Sequence, residues 1–175
     1  MVIDDIFKAY DVRGKVGTEL TNDIVEKIAK AVADWLPKEG PVAVGRDMRS
    51  DSDELAKAAI KGLVSQGRDV WDIGMVTSDM IYFAVGKYKL AGGLMITASH
   101  NPGEYNGIKF CREEAKPIGL DTGLSDIKDK VKTNKFKNKT NKGRVISRDV
   151  TEDWITHVLS FVDMGDLKPL KIAVD

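Results

Sequence analysis

Cysteine is what this 175-residue chain has least of: Cys111 stands alone, beside two histidines and five prolines. A single thiol closes no internal disulfide and fills no multi-cysteine zinc site. It fits a reducing compartment, so a cytoplasmic location is expected. Long apolar runs are missing too, none approaching the roughly 20 residues that cross a bilayer. The N-terminal MVIDDIFKAYDVRG places acids where a signal peptide needs bases, so no membrane partner is expected. Nor is there an excess of one charge: 27 Lys and Arg balance 27 Asp and Glu. With no net field to attract nucleic acid or an anionic surface, any anion site must be local. Neither G-x-x-x-x-G-K-[ST] nor G-x-G-x-x-G occurs, which removes the best support for a nucleotide loop, and G-x-S-x-G is absent as well.

What is present alternates. Thr21 is a plausible N-cap for a helix whose stripe is Ile24, Ile28, Val32 and Leu36, ended by Pro37. Residues 41–45 form a short apolar run closed by glycine, a buried strand. A helix follows from Ser52, with Asp53 and Glu54 suiting its first turn and Leu55, Ala59 and Leu63 on one face. Then come a strand at 70–73, a helix at 78–88 and a strand at 92–98. Such alternation predicts an α/β fold, a three-layer α/β/α domain around a mostly parallel mixed sheet. Residues 107–111 read as a strand antiparallel to the one before it, placed at the edge, and 124–131 as another helix.

The composition divides the chain into 1–132, a compact domain; 133–150, a basic connector; and 151–175, a helix over Thr151–Met164 capped by Gly165 and a strand, Leu170–Asp175, that would open a second domain. Between 133 and 148 the chain carries Lys135, Lys137, Lys139, Lys142, Arg144 and Arg148 and no acid. Nucleic acid would use such a stretch if aromatic rings alternated with the charges. Only Phe136 does, so a solvated connector and no nucleic-acid partner are expected.

The run Gly92-Gly93-Leu94-Met95-Ile96 ends in Thr97-Ala98-Ser99-His100-Asn101-Pro102, where a buried strand surfaces at its carboxyl end. In α/β sheets that is where ligands bind. A standard hydrolytic triad is disfavoured, since neighbouring Ser99 and His100 side chains point apart in extended chain. A hydroxyl at Ser99 with donors at His100, Asn101 and Lys109 suits a phosphoryl group. Tyr10 and Arg13 would add a phenol and a guanidinium if their segment folds across the same edge. The alternative is a serine that only caps a turn. Arg46 and Asp47 read as an ion pair pinning a strand-to-helix turn, Gly92 and Gly93 as close-packing positions, Asn106-Gly107 as a turn, and Cys111 as a small core residue.

YDVRG (Tyr10 to Gly14), VGRDMRSDS (Val44 to Ser52), TASHNP with GEYNGIKF (Thr97 to Phe110) and REEAKPIGLDTGL (Arg112 to Leu124) resemble, in order, the first domain of the α-D-phosphohexomutases, nearest to the phosphomannomutase/phosphoglucomutase branch. The resemblance implies that Ser99 is a phosphoserine passing its phosphoryl group to a sugar monophosphate and regaining the other phosphate from a bisphosphate intermediate. It makes His100 and Lys109 proton movers, puts Arg13 among the catalytic groups, and makes Tyr10, Arg13, Asn101 and Lys109 substrate-binding. It also implies Mg²⁺ held through the Ser99 phosphate and a hexose 1,6-bisphosphate activator. The family's D-G-D-G-D-R metal loop and G-E-x-S-G sugar loop do not occur here. The remaining Mg²⁺ ligands are therefore expected in the other three domains of a parent chain, and this piece is expected to be inactive by itself. Phosphoglucosamine mutases are the nearest alternative, but usually show a GTDGIRG-like start and SASHNP. Thr77-Ser78-Asp79, where many relatives have prolines, fits some phosphomannomutases.

Overall fold

The structure is a computed structural model and describes residues 2–136, 139–163, 165 and 168–174. Lys137, Met164 and Asp175, which entered the expectations above, lie outside the described residues. In chain order the elements are α1 (Val2–Ile6), β1 (Asp11–Lys15), α2 (Asn22–Trp35), β2 (Val42–Arg46), α3 (Ser52–Ser65), β3 (Val70–Met75), α4 (Ser78–Lys87), β4 (Gly92–Ile96), β5 (Tyr105–Arg112), β6 (Lys116–Pro117), α5 (Leu124–Thr133), β7 (Val145–Ser147) and α6 (Thr151–Leu159).

Seven strands form one mixed sheet in the order β1-β5-β4-β2-β3-β7, with β6 paired to β5 beyond the end of β1. The pairs β2–β3, β2–β4 and β3–β7 are parallel, and β5 runs against every neighbour it has. Alternation along the central strands feeds two cores. Val42, Val44, Leu94 and Ile96 face α2, α3 and α5, while Ala43 and Met95 face α4. The three expected layers follow. The Thr21 hydroxyl accepts the Ile24 amide at 3.3 Å, starting α2 where the N-cap was expected.

The antiparallel strand differs from expectation in its place: β5 is one in from the edge, because β1 lies along its outer side. Only a bare backbone permits this. A Cβ at Gly107 would stand 2.2 Å from the Val12 carbonyl oxygen. Asn106 and Gly107 are therefore strand residues and not the expected turn. Gly92 and Gly93 do serve close packing, since a Cβ would meet the Cys111 carbonyl at 2.7 Å and Ile81 at 2.6 Å.

The basic segment is a connector only in part. Residues 145–147 add the last strand beside β3, and Asp69 accepts the Arg144 amide at 2.7 Å and its guanidinium at 3.1 Å. Arg148 lies over the Trp71 and Tyr88 rings at 5.5 and 5.7 Å. The carboxylate and the two rings fix a stretch that charge alone would leave in solvent. Helix α6 is shorter than expected and rests on α4: Trp154 and Phe83 meet edge to face with ring centroids 5.4 Å apart, and Asp153 meets Tyr88 and Lys87. Residues 168–174 pair with no strand among the described residues, leaving Leu170, Ile172 and Val174 exposed.

Candidate active site

The chain leaves β4 through Thr97 and Ala98, both buried, and then turns at Ser99 with φ of 55°. Serine holds this left-handed conformation only when its surroundings fix it. The Thr97 hydroxyl accepts the Ser99 amide at 2.9 Å, and Asn101 N–H reaches back to the Ala98 carbonyl at 3.1 Å. The turn has two consequences. Both Ser99 and His100 side chains stand exposed. They also converge, with Ser99 Oγ 3.4 Å from His100 Nδ1, because the chain here is a turn and not the extended segment in which neighbours point apart.

Pairing of β1 with β5 brings the N-terminal residues to this loop. Asp11 lies opposite Lys109 and Arg13 opposite Gly107. Arg13 Nη1 donates to the Asn101 side-chain oxygen and Nη2 to Asp11 at 2.6 Å. Lys109 Nζ lies 3.7 Å from the same Asp11 oxygen. Arg13, Asn101 and Lys109 are thus brought together around Asp11, one loop away from Ser99. Tyr10 precedes β1, is 74 % exposed, and makes no side-chain hydrogen bond among the described residues.

Two residues that sequence reasoning passed over complete the arrangement. Asp11 is the common partner of both cations, and its sequence signal was its place two residues before Arg13 on the same strand face. Arg49, on the loop after β2, donates to the main-chain carbonyls of Ser99, Asn101, Pro102 and Tyr105. Arg46 and Asp47 do pin the turn, but with other partners than each other: Arg46 bonds Asp53 at 3.0 Å, while Asp47 accepts the Ser52 hydroxyl at 2.6 Å and faces Arg49. Cys111 is a core residue on β5, its thiol pushed up to about 12 by burial.

Beside Ser99 a cleft of about 550 Å³ opens at the carboxyl ends of β2, β3 and β4, lined by Met48, Met75, Val76, Met95 and Thr97 among others. That is where doubly wound sheets receive ligands. A cavity of similar size near Trp35 lacks this chemistry: its Arg68 is committed to the carbonyls of Ala33, Leu36 and Lys38.

The sequence pattern described as phosphoglucomutase/phosphomannomutase, alpha/beta/alpha domain I, matches residues 4–153. This chain belongs to that family. A protein named "Phosphohexose mutases" from Xanthomonas campestris is 44 % identical over 169 residues, and a phosphomannomutase from Escherichia coli is 41 % identical over 172; each alignment covers 97 % of this chain and 38 % of the relative. A crystal structure of a phosphoglucomutase/phosphomannomutase family protein from Burkholderia thailandensis superposes with a TM-score of 0.82 at 29 % identity, covering 96 % of this chain and 37 % of that one. The chain therefore spans under two fifths of the relatives it matches. The match ends at 153, so β7 lies within it.

Among the described residues no three His, Cys, Asp or Glu side chains converge as a ligand set, and Ser99 offers one oxygen where Mg²⁺ takes six. No described helix is long and apolar enough to cross a membrane.

Proposed function

We propose that this chain is the phosphoserine-bearing first domain of a phosphomannomutase/phosphoglucomutase, and that Ser99 carries the phosphoryl group exchanged between the 6 and 1 positions of a hexose phosphate. The observation that carries this reading is the placing of Ser99. It is an exposed hydroxyl, fixed by a strained turn at the mouth of a parallel sheet, in the loop that Asn101 joins to Arg13, which shares Asp11 with Lys109.

In the forward half-reaction the Oγ–P bond of phosphoserine 99 breaks as a sugar hydroxyl oxygen bonds phosphorus, and the hydroxyl proton leaves to a base. His100, 3.4 Å from Ser99 Oγ, and Lys109 are the candidates for that proton. The transferring group carries about −1.5 to −2 charges near neutral pH, and Arg13, tied to the Ser99 loop through Asn101, and Lys109 are the cations proposed to offset them. Asn101 orients Arg13. Tyr10, exposed beside them, would contact the sugar. The second half-reaction returns the other phosphate of the bisphosphate to Ser99, which restores the enzyme and makes hexose 1,6-bisphosphate the expected activator.

Mg²⁺, when bound, would neutralise phosphate charge; Ser99 phosphate would give it one oxygen, and the other ligands would come from further domains. Mannose and glucose phosphates are the proposed substrate class, in a cytoplasmic parent with three further domains. The proposed boundaries are 1–132 for the core of the domain and 151–175 for the start of the next, with 133–150 joining them and lending β7 to the sheet of the first. The test is turnover of mannose 6-phosphate with glucose 1,6-bisphosphate and Mg²⁺. The parent chain should isomerise it and its Ser99→Ala variant should not. A fully active alanine variant would overturn the reading.

A further inference from the structure

One side chain grips the main chain of the Ser99 loop. Arg49 Nη2 donates to the carbonyls of Ser99 at 3.0 Å and Asn101 at 2.6 Å, and Nη1 to those of Pro102 at 2.9 Å and Tyr105 at 3.0 Å. Its side chain is 14 % exposed, and Nε faces the Asp47 carboxylate at 3.4 Å. Asp47 is held in turn: it accepts the Ser52 hydroxyl at 2.6 Å, and that hydroxyl accepts the buried Asn106 amide at 2.9 Å. Residues 99–105 are therefore drawn around a single planar fork anchored on α3 and β5.

Two features indicate what the fork does. Ser99 sits at φ of 55°, a conformation that needs both adjoining peptides fixed. Thr97 takes its N–H at 2.9 Å, and Arg49 takes its C=O. The second feature is saturation. A guanidinium has five N–H donors; its four Nη hydrogens are matched here by four carbonyls, and Nε is turned to Asp47. None is left for a phosphate oxygen, so this cation acts through the loop.

We propose that Arg49 is the positioning residue for the phosphoryl group at Ser99: by holding the loop carbonyls it sets the direction in which Ser99 Oγ leaves the turn, and with it the line along which phosphorus travels. The inference rests on the phosphoserine reading above. Transfer requires attacking oxygen, phosphorus and leaving oxygen roughly in line, and a misplacement near 1 Å costs on the order of 100-fold in rate. Lysine keeps the charge but offers one nitrogen where four carbonyls are spread across two, so it does not substitute for the fork.

The test uses the parent chain. Ser99 is loaded from hexose 1,6-bisphosphate, mixed with excess sugar monophosphate and quenched, and the first-order transfer constant is read per phosphorylated Ser99, so a smaller folded fraction does not enter. Arg49→Lys should slow transfer about 100-fold while KM for the sugar phosphate stays within about twofold. Arg49→Ala should be as slow and be partly restored by added guanidinium ion. Wild-type transfer in Arg49→Lys overturns the positioning role, and so does a loss that appears mainly in KM, which would make Arg49 a direct substrate contact. A wild-type parent that takes no phosphate at Ser99 overturns the phosphoserine reading itself, an outcome recognisable before any variant is made.

Discussion

Asp11 stands between the two cations of the site, with 9 % of its surface exposed, and its one negative charge is shared by both, leaving the trio with a net positive charge. Asp11→Asn should therefore raise the affinity of the protein for inorganic phosphate severalfold by calorimetry, because Arg13 and Lys109 lose a competing anion that burial makes strong. An unchanged affinity would remove these cations from the phosphate site. Cys111 gives a second residue-scale expectation, with its sign set by burial. Its thiol is held protonated up to about 12 in the folded chain, against an ordinary 9.0. The folded state therefore keeps a proton that the unfolded chain gives up, so this contribution is complete below pH 9 and lost progressively as pH rises from 9 towards 12. Denaturant melts over that range should show the loss in wild type and a shallower one in Cys111→Ala, and a thiol reagent should label the native protein only as it unfolds. A flat wild-type profile would contradict the burial argument. The core role of Cys111 was legible in the sequence, a small apolar residue on a short strand. Arg49 was not, since its partners are carbonyls of a loop some fifty residues away and main-chain acceptors have no letter in a sequence.

The strand pair β1–β5 is the element that assembles the site, and Gly107 is its weakest point. Gly107→Ala puts a methyl group 2.2 Å from the Val12 carbonyl oxygen and 3.0 Å from that of Thr97. It should destabilise the fold by about 3 kcal/mol in urea melts, because both carbonyls belong to the backbone and cannot step aside. A loss under a few tenths would mean that β1 is free to move. At the other end of the sheet, Arg68 is buried and donates to the carbonyls of Ala33, Leu36 and Lys38, closing the C-terminal end of α2. Arg68→Met should cost about 3 kcal/mol by leaving those acceptors without a partner. The helices were readable because their apolar stripes repeat every three to four residues, as in Ile28 and Val32 of α2. β1 was not, since DVRGK has Val12 alone as an apolar side chain. β7 hid inside a run of lysines and asparagines, where Val145 and Ile146 gave too short a signal against the charge. What ties that run to the sheet is Asp69, far away in sequence.

At the scale of the whole molecule, the balanced charge gives no net field for nucleic acid, and Asp69 and the Trp71 ring already partner Arg144 and Arg148. Binding to short duplexes should be absent or vanish by physiological salt; affinity that persists there with a steep salt slope would contradict this. The order of layers and the crowding of polar residues at the carboxyl ends of the strands could be read from alternation and from TASHNP, whereas the joining of Arg13 to Asn101 depends on β1 folding back over the edge, which no local pattern announces. Everything rests on Ser99 as the carrier of phosphorus. The most direct measurement is intact mass with peptide mapping of the parent chain after incubation with hexose 1,6-bisphosphate and Mg²⁺. The account predicts one added phosphate on the peptide containing Ser99, removed again by excess hexose monophosphate. A phosphate that maps elsewhere, or no gain of mass in a parent that isomerises its substrate, would contradict it.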